Sequence, residues 1–152
     1  MSDPNQTWTY GYLTDSRLLA TTTASSALRT VSYEPNRNVI TQVKNEVGST
    51  TISQYDYDVN RIGQRTSRAQ SGSAFSAASQ DSFGYNSRGE LTSALNDTDT
   101  TLDFAYAYDP IGNRTSATQL ATSTTPEVTT YDANALNQYT EIDPDGTPLY
   151  SP

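Results

Sequence analysis

Histidine and cysteine are both absent from this chain of 152 residues. A Ser-His-Asp triad, a Cys-His pair, a His-ligated zinc and a disulfide are therefore excluded. Lysine occurs once, at Lys44, and the formal net charge is -8. A chain this acidic has no basic stripe to follow a phosphate backbone, which argues against a nucleic-acid partner. The longest apolar run, Phe104 to Tyr108, falls far short of a membrane span. Residues 1–6 have neither the basic stretch nor the apolar stretch of a secretion signal. Hydrophobic residues make up only 34% and charged residues 17%, against about 45–50% and about 25% in ordinary globular chains.

Hydroxyl groups and tyrosines fill the gap: 24 Thr, 18 Ser and 11 Tyr. Thr and Tyr suit a pleated, half-buried surface, so the composition predicts β-structure around a thin core. The organisation is repetitive. Tyr12, Tyr33, Tyr57, Tyr85, Tyr108 and Tyr131 each precede a turn-like string, at intervals of 21, 24, 28, 23 and 23 residues. A near-regular period of this size marks a repeat architecture, here one array over residues 1–152.

The clearest unit runs from Phe104 to Ser116. Phe104, Tyr106 and Tyr108 alternate with small residues, which puts three rings on one face of a strand. Asp109-Pro110-Ile111-Gly112 reads as a turn, with Asp bonding its own backbone, Pro presetting φ and Gly accepting φ > 0. Antiparallel hairpins are predicted at Tyr57–Thr66, Tyr85–Thr92 and Tyr108–Thr115. Counted from the tyrosines, the turns after Tyr57 and Tyr131 are two residues longer than those after Tyr85 and Tyr108. The turns after Tyr12 and Tyr33 are looser. Residues 69–79 read as a mobile loop, with a short helix as the alternative; elsewhere no amphipathic helix stands out.

The string Tyr106 to Ser116, Tyr-x-Tyr-Asp-x-x-Gly-x-Arg-Thr-Ser, resembles the YD repeat of the RHS/YD-repeat family. Tyr57-Asp58 through Thr66 and Tyr131-Asp132 through Thr140 resemble further copies, and together the copies cover roughly residues 8 to 150. The resemblance implies all-β tandem antiparallel hairpins that continue one curved, twisted sheet, part of a shell-like or barrel-like array. In bacterial members such a shell encloses a C-terminal toxin, and related repeats form extracellular barrels in adhesion proteins. A secreted or cell-surface location is the corresponding expectation. Asn134 to Tyr139 resembles the lead-in to the family's core segment. On this resemblance the chain reads as a fragment of about six repeats, without the cargo toxin or the complete core.

Candidate sites are few. The tyrosine ladder reads as Tyr stacked on Tyr of the next unit, supplying the core, rather than as a platform for flat ligands. Asp97, Asp99 and Asp103 alternate as carboxylates do in calcium loops, so a Ca2+ site is set there against a plain solvated turn. Asp143-Pro144-Asp145-Gly146 and Asp56/Asp58 are weaker versions of the same idea. No cofactor is required by anything in the sequence. Glu34, Glu46, Glu90, Glu127 and Glu141 leave a carboxylate-dependent hydrolase open, but none sits in a recognisable motif. The leading reading is a structural or interaction module without catalytic residues; the alternative is a small calcium-dependent hydrolase acting on an ester, lactone or glycosidic bond. Partners are expected at exposed sheet edges, either a second copy or the remainder of a longer parent chain. The strand around Trp8 to Tyr12 carries nothing to block pairing, whereas Asp143, Pro144, Asp145 and Pro148 protect the other end.

Overall fold

A computed structural model describes residues 7–144. The backbone is almost entirely strand, as the Thr- and Tyr-rich alternation predicts. It divides into two compact units, Met1–Gln80 and Asp81–Pro152. In the first lie β1 (Trp8–Tyr12), β2 (Leu19–Ala24), β3 (Ala27–Tyr33), β4 (Ile40–Val47), β5 (Thr50–Val59) and β6 (Arg65–Ser71). The second contains all but the first two residues of β7 (Ser79–Tyr85), and then β8 (Leu91–Asn96), β9 (Phe104–Tyr108), β10 (Arg114–Gln119), β11 (Glu127–Ala133) and β12 (Tyr139–Pro144). In each unit every strand pairs antiparallel with its sequence neighbour. Among the described residues the only helical piece is one 3-10 turn, Thr100–Leu102. The predicted all-β hairpin array and its three named hairpins are what the chain forms.

One device recurs in six hairpins, β1–β2, β3–β4, β5–β6, β7–β8, β9–β10 and β11–β12. Tyr108 faces Arg114 while Ala107 faces Ser116, so Thr115 is left over as a bulge. The same skip passes over Ala20, Thr41, Thr66, Thr92 and Thr140. Each bulge lies on the return strand, one residue beyond the first pair after the turn. The Thr of the repeated Arg-Thr-Ser string is thus a bulge residue, and a bulge raises the local right-handed twist of a ribbon. Nothing in the hydrophobic pattern announces it, because the alternation resumes on the far side.

The core is thin, as the composition predicts. Among the described residues the buried hydrophobic side chains are Ala24 and Val31. Between Tyr106 and Tyr131 the rings contribute by another route than Tyr-on-Tyr stacking. Equivalent tyrosines of successive hairpins, such as Tyr106 and Tyr131, lie two strands apart, roughly 9.5 Å at normal strand spacing and too far for rings to touch. Arg114, on the strand between them, fills the gap: its guanidinium lies 5.0 Å from the centre of the Tyr106 ring and 5.7 Å from that of Tyr131. Arg65 covers Tyr57 in the same way, at 4.0 Å. In the last hairpin Tyr139 takes the arginine's place and its ring meets Tyr131 at 5.4 Å.

Residues 69–79 are neither a loose loop nor a helix. Ala69 to Ser71 belong to β6, and the chain then folds back on β5. Ser73 and Ala74 donate to the carbonyls of Thr51 and Ile52 at 3.1 and 2.9 Å, and the Phe75 ring meets Tyr55 edge-on at 5.7 Å. Gly72 makes this approach feasible: its φ is +120°, and a Cβ there would stand 2.5 Å from the carbonyl oxygen of Ile52. Gly48 offers a control, since its φ is also positive (+61°) but the space around it is open. Gly72→Ala is therefore expected to lower the unfolding free energy in urea by more than about 2 kcal/mol, against about 1 kcal/mol for Gly48→Ala. Equal losses at the two positions would contradict the close approach.

Candidate functional site

The repeated turns are the chemically distinctive part of the molecule. Asn60, Asn86, Asp109 and Asn134 each open a five-residue turn with one hydrogen-bond plan. In the turn at Asp109, the backbone N–H of Asp109 donates to the carbonyl of Asn113 at 2.9 Å, and that of Gly112 donates to the carbonyl of Asp109 at 3.2 Å. Oδ1 of Asp109 accepts from the N–H groups of Ile111 and Asn113, at 3.0 and 2.9 Å. The Oδ1 atoms of Asn60, Asn86 and Asn134 accept from the same two positions. One side-chain oxygen thus satisfies two backbone donors that a thin sheet could not otherwise shelter.

The fourth turn residue needs a positive φ. Gly63, Gly89 and Gly112 supply it at +86°, +84° and +98°, and Asn137 supplies +58°. The turns after Tyr57 and Tyr131 therefore have the same length as the others. What differs is the strand: Val59 and Ala133 hold the place of Tyr85 and Tyr108, and Tyr57 and Tyr131 match Tyr106. Leu13 and Glu34 open turns one residue longer, closing on Leu18 and Val39.

Successive hairpins are clasped at these turns, twice in the same manner. Arg37 is held by both oxygens of Glu34, at 2.5 and 2.7 Å. Its Nη1 donates to the carbonyls of Asn60 and Arg61, the first two residues of the next turn, at 3.0 and 2.9 Å. Arg88 is held by Glu90, at 2.7 Å, and donates to the carbonyls of Asp109 and Pro110, again the first two residues of the next turn, at 2.6 and 2.8 Å. A second clasp comes from the tyrosine just before a turn. Tyr33 donates its hydroxyl to the carbonyl of Leu19 at 3.0 Å, and Tyr108 donates to that of Leu91 at 2.9 Å. Both acceptors are the first strand residue after the preceding turn. These roles for Arg37, Arg88 and the pre-turn tyrosines escaped the sequence reading. A Glu beside an Arg within one turn is the available signal, but the acceptors are backbone atoms about 21 to 24 residues away.

The carboxylates singled out in the sequence are spread over several tasks. Asp99 caps the 3-10 turn, accepting from the backbone N–H of Thr101 and from its hydroxyl at 3.0 and 2.6 Å. Asp103 is 2% exposed. It accepts from the Asn96 N–H at 2.7 Å and from the Thr122 hydroxyl, while its carbonyl accepts from the N–H of Ala121 at 3.1 Å. It therefore ties the β8–β9 loop to the β10–β11 loop. Asp97 lies at the exposed tip of the first of these loops. The three are not gathered into one cluster, and among the described residues no group of three acidic side chains is arranged to hold a metal ion. Asp56 accepts from the side-chain amides of Gln42 and Gln54, at 2.6 and 2.7 Å, and Asp58 from the Ser67 hydroxyl at 2.8 Å. Asp145, Gly146 and Pro148 lie outside the described residues. Of the glutamates a hydrolase would draw on, Glu34, Glu46 and Glu90 pair with Arg37, Lys44 and Arg88.

These contacts set the acid response. Hydrogen bonds from Arg37 hold the Glu34 carboxyl below its ordinary range. Those from Asn86, then Arg88, do the same for Glu90. Burial acts upward on Asp109, but the donors on Asn113, Ile111 and Gly112 together outweigh it and hold that carboxyl low as well. A carboxyl with a lowered folded pKa stabilises the fold above its unfolded value of about 4 and loses that contribution as pH falls through the folded value. The melting temperature is thus expected to fall steeply below about pH 4. Asn opens three of the four like turns, so Asp109→Asn is expected to keep the neutral-pH melting temperature and to flatten the acid decline; an unchanged decline would contradict the assignment. Asp103→Ala should cost about 1–3 kcal/mol in urea denaturation, because it removes the buried carboxylate that accepts from both the Asn96 N–H and the Thr122 hydroxyl. A variant as stable as its parent would show that the two loops do not depend on this carboxylate.

No curated protein gives a significant match to the chain. A protein-family model described as Teneurin YD-shell matches residues 1–123. That span covers most of the chain and five of the hairpins just described, so the chain belongs to the teneurin YD-shell family.

Proposed function

We propose that this chain is a wall segment: a structural, shell-like module that serves by being a stiff sheet and by presenting its edges to further strands. The observation that carries the reading is the recurrence of one clasp. Arg37 and Arg88 reach the same two carbonyls of the following turn, and Tyr33 and Tyr108 reach the same carbonyl of the preceding hairpin. Such contacts fix the angle between neighbouring hairpins, which is what a wall requires and what a catalytic centre does not. Stability in a repeat array of this kind is a sum of unit and nearest-neighbour terms, so clasps matter more than a central core. The strands that meet the rest of a larger assembly are β1 and β12, each paired on one side among the described residues. Family membership is also the reason to look for the protein outside the cell or at its surface. Among the described residues no helix is long and apolar enough to cross a membrane.

Amide hydrogen exchange tests the wall reading directly. Arg37→Ala is expected to speed exchange severalfold at Gly63 and Gln64, in the next turn, and to leave the amides of Leu13 and Ser16 unchanged. Arg88→Ala is expected to do the same at Gly112 and Asn113. Exchange that rises uniformly, or not at all, would mean that the hairpins are not held by these arginines.

A further inference from the structure

Strand β1 is paired on one side only among the described residues, and its rings are exposed. Trp8, Tyr10 and Tyr12 alternate with Thr9 and Gly11, so the three rings share one face of the strand. They are 56%, 56% and 59% exposed. Their strand-side neighbours on β2 are small at two of the three positions: Trp8 faces Ala24 and Tyr10 faces Thr22, while Tyr12 faces Leu19. On the inner side Trp8 and Tyr10 border an apolar groove of about 550 Å³ that Leu28, Val47 and Ile52 also line. No ring of the three has an aromatic or cationic partner among the described residues. Tyr10 holds the same place before its turn as Tyr57, Tyr106 and Tyr131, each of which is covered by an arginine or a tyrosine. The first strand thus exposes rings at positions that the rest of the array covers.

Trp8–Tyr12 contains no charge and no proline, the two usual devices against edge pairing. The opposite edge, β12, carries Glu141, Asp143 and Pro144, and Pro144 has no N–H to give. We propose that β1 pairs antiparallel with β1 of a second copy about a two-fold axis at Tyr10, so that Tyr10 meets Tyr10 and Trp8 meets Tyr12 of the other chain. The order ring-small-ring-small-ring is symmetric about Tyr10. This register sets every ring opposite a ring and Thr9 opposite Gly11. A slip of one residue would send the two sets of rings to opposite faces, and a slip of two leaves a ring unpaired at each end. Cross-strand rings at this spacing attract each other beyond their buried area. An interface of this kind uses the same patch on both chains and closes at two. It rests on the reading of β1 as an open sheet edge.

The absence of cysteine gives a clean test. Antiparallel partners lie close enough for a disulfide, and only a residue on the axis meets itself. Tyr10→Cys is expected to form a covalent dimer under mild oxidation, and Ile142→Cys on β12 is expected to stay monomeric. Light scattering of the unmodified chain should give twice 16.6 kDa, and Trp8→Ala, which keeps the strand, should weaken dimerisation about tenfold or more. A dimer that crosslinks through Ile142→Cys instead would overturn this interface while leaving the open-edge reading in place. A chain that stays monomeric at about 100 µM, with no crosslink at either position, would overturn both.

Discussion

Between the turn at Asn86 and the turn at Asp109, one guanidinium is shared by a carboxylate of its own turn and two carbonyl oxygens of the next. Arg37 repeats the arrangement in the other unit. Carbonyls at the head of a turn have a spare lone pair, because only one backbone donor reaches them from within the turn. A planar, permanently charged fork can satisfy two of them while its other nitrogens hold the glutamate, a fixed geometry that the point charge of a lysine does not supply. The glutamate fixes the fork before it reaches across, so little side-chain freedom remains to be lost. A sheet with so few buried hydrophobic side chains needs contacts of this type between neighbouring hairpins, since packing alone does not set their angle.

The remaining features follow from the same economy of core. A bulge at the same place in six of the hairpins twists the ribbon locally, and Thr is used there in five of the six. The bulge also changes which residue faces which. After it, the arginine of Arg-Thr-Ser stands over the ring two residues before the end of the outgoing strand, as Arg65 does over Tyr57 and Arg114 over Tyr106. Rings and guanidinium groups on one face thus replace the aliphatic layer of a larger domain. The carboxylates hold turns and loops: Asp109 closes a turn, Asp99 caps a 3-10 turn and Asp103 joins two loops.

Much of this was legible in the residues. Alternation around Tyr106 and the Asp-Pro-Ile-Gly string gave the hairpins and the positive φ of Gly112, because local rules decide both. The family resemblance rested on the same strings. The bulge was not legible, because it shifts register without disturbing the hydrophobic pattern; one turn length looked like two because Val59 and Ala133 stand where Tyr85 and Tyr108 do, so that counting from Tyr57 and Tyr131 starts two residues early. The arginine clasps were hidden because their acceptors are backbone atoms of another hairpin. Asp97, Asp99 and Asp103 looked alike as a spaced acidic set, yet burial separates them sharply. Asp103 lies inside, between two loops, while Asp97 and Asp99 lie outside, and only tertiary structure makes that distinction.

The central claim is that the junction between the turns at Asn86 and Asp109 is held by Arg88 and Tyr108 acting together. A double-mutant cycle in urea measures this. Arg88→Ala and Tyr108→Phe both act on the junction between the turns at Asn86 and Asp109, and their effects should be non-additive by at least about 0.5 kcal/mol. Arg37→Ala combined with Tyr108→Phe, which share no partner, should be additive within that margin. Additivity in both cycles, or no loss of stability in the single variants, would contradict the claim that these clasps hold the array.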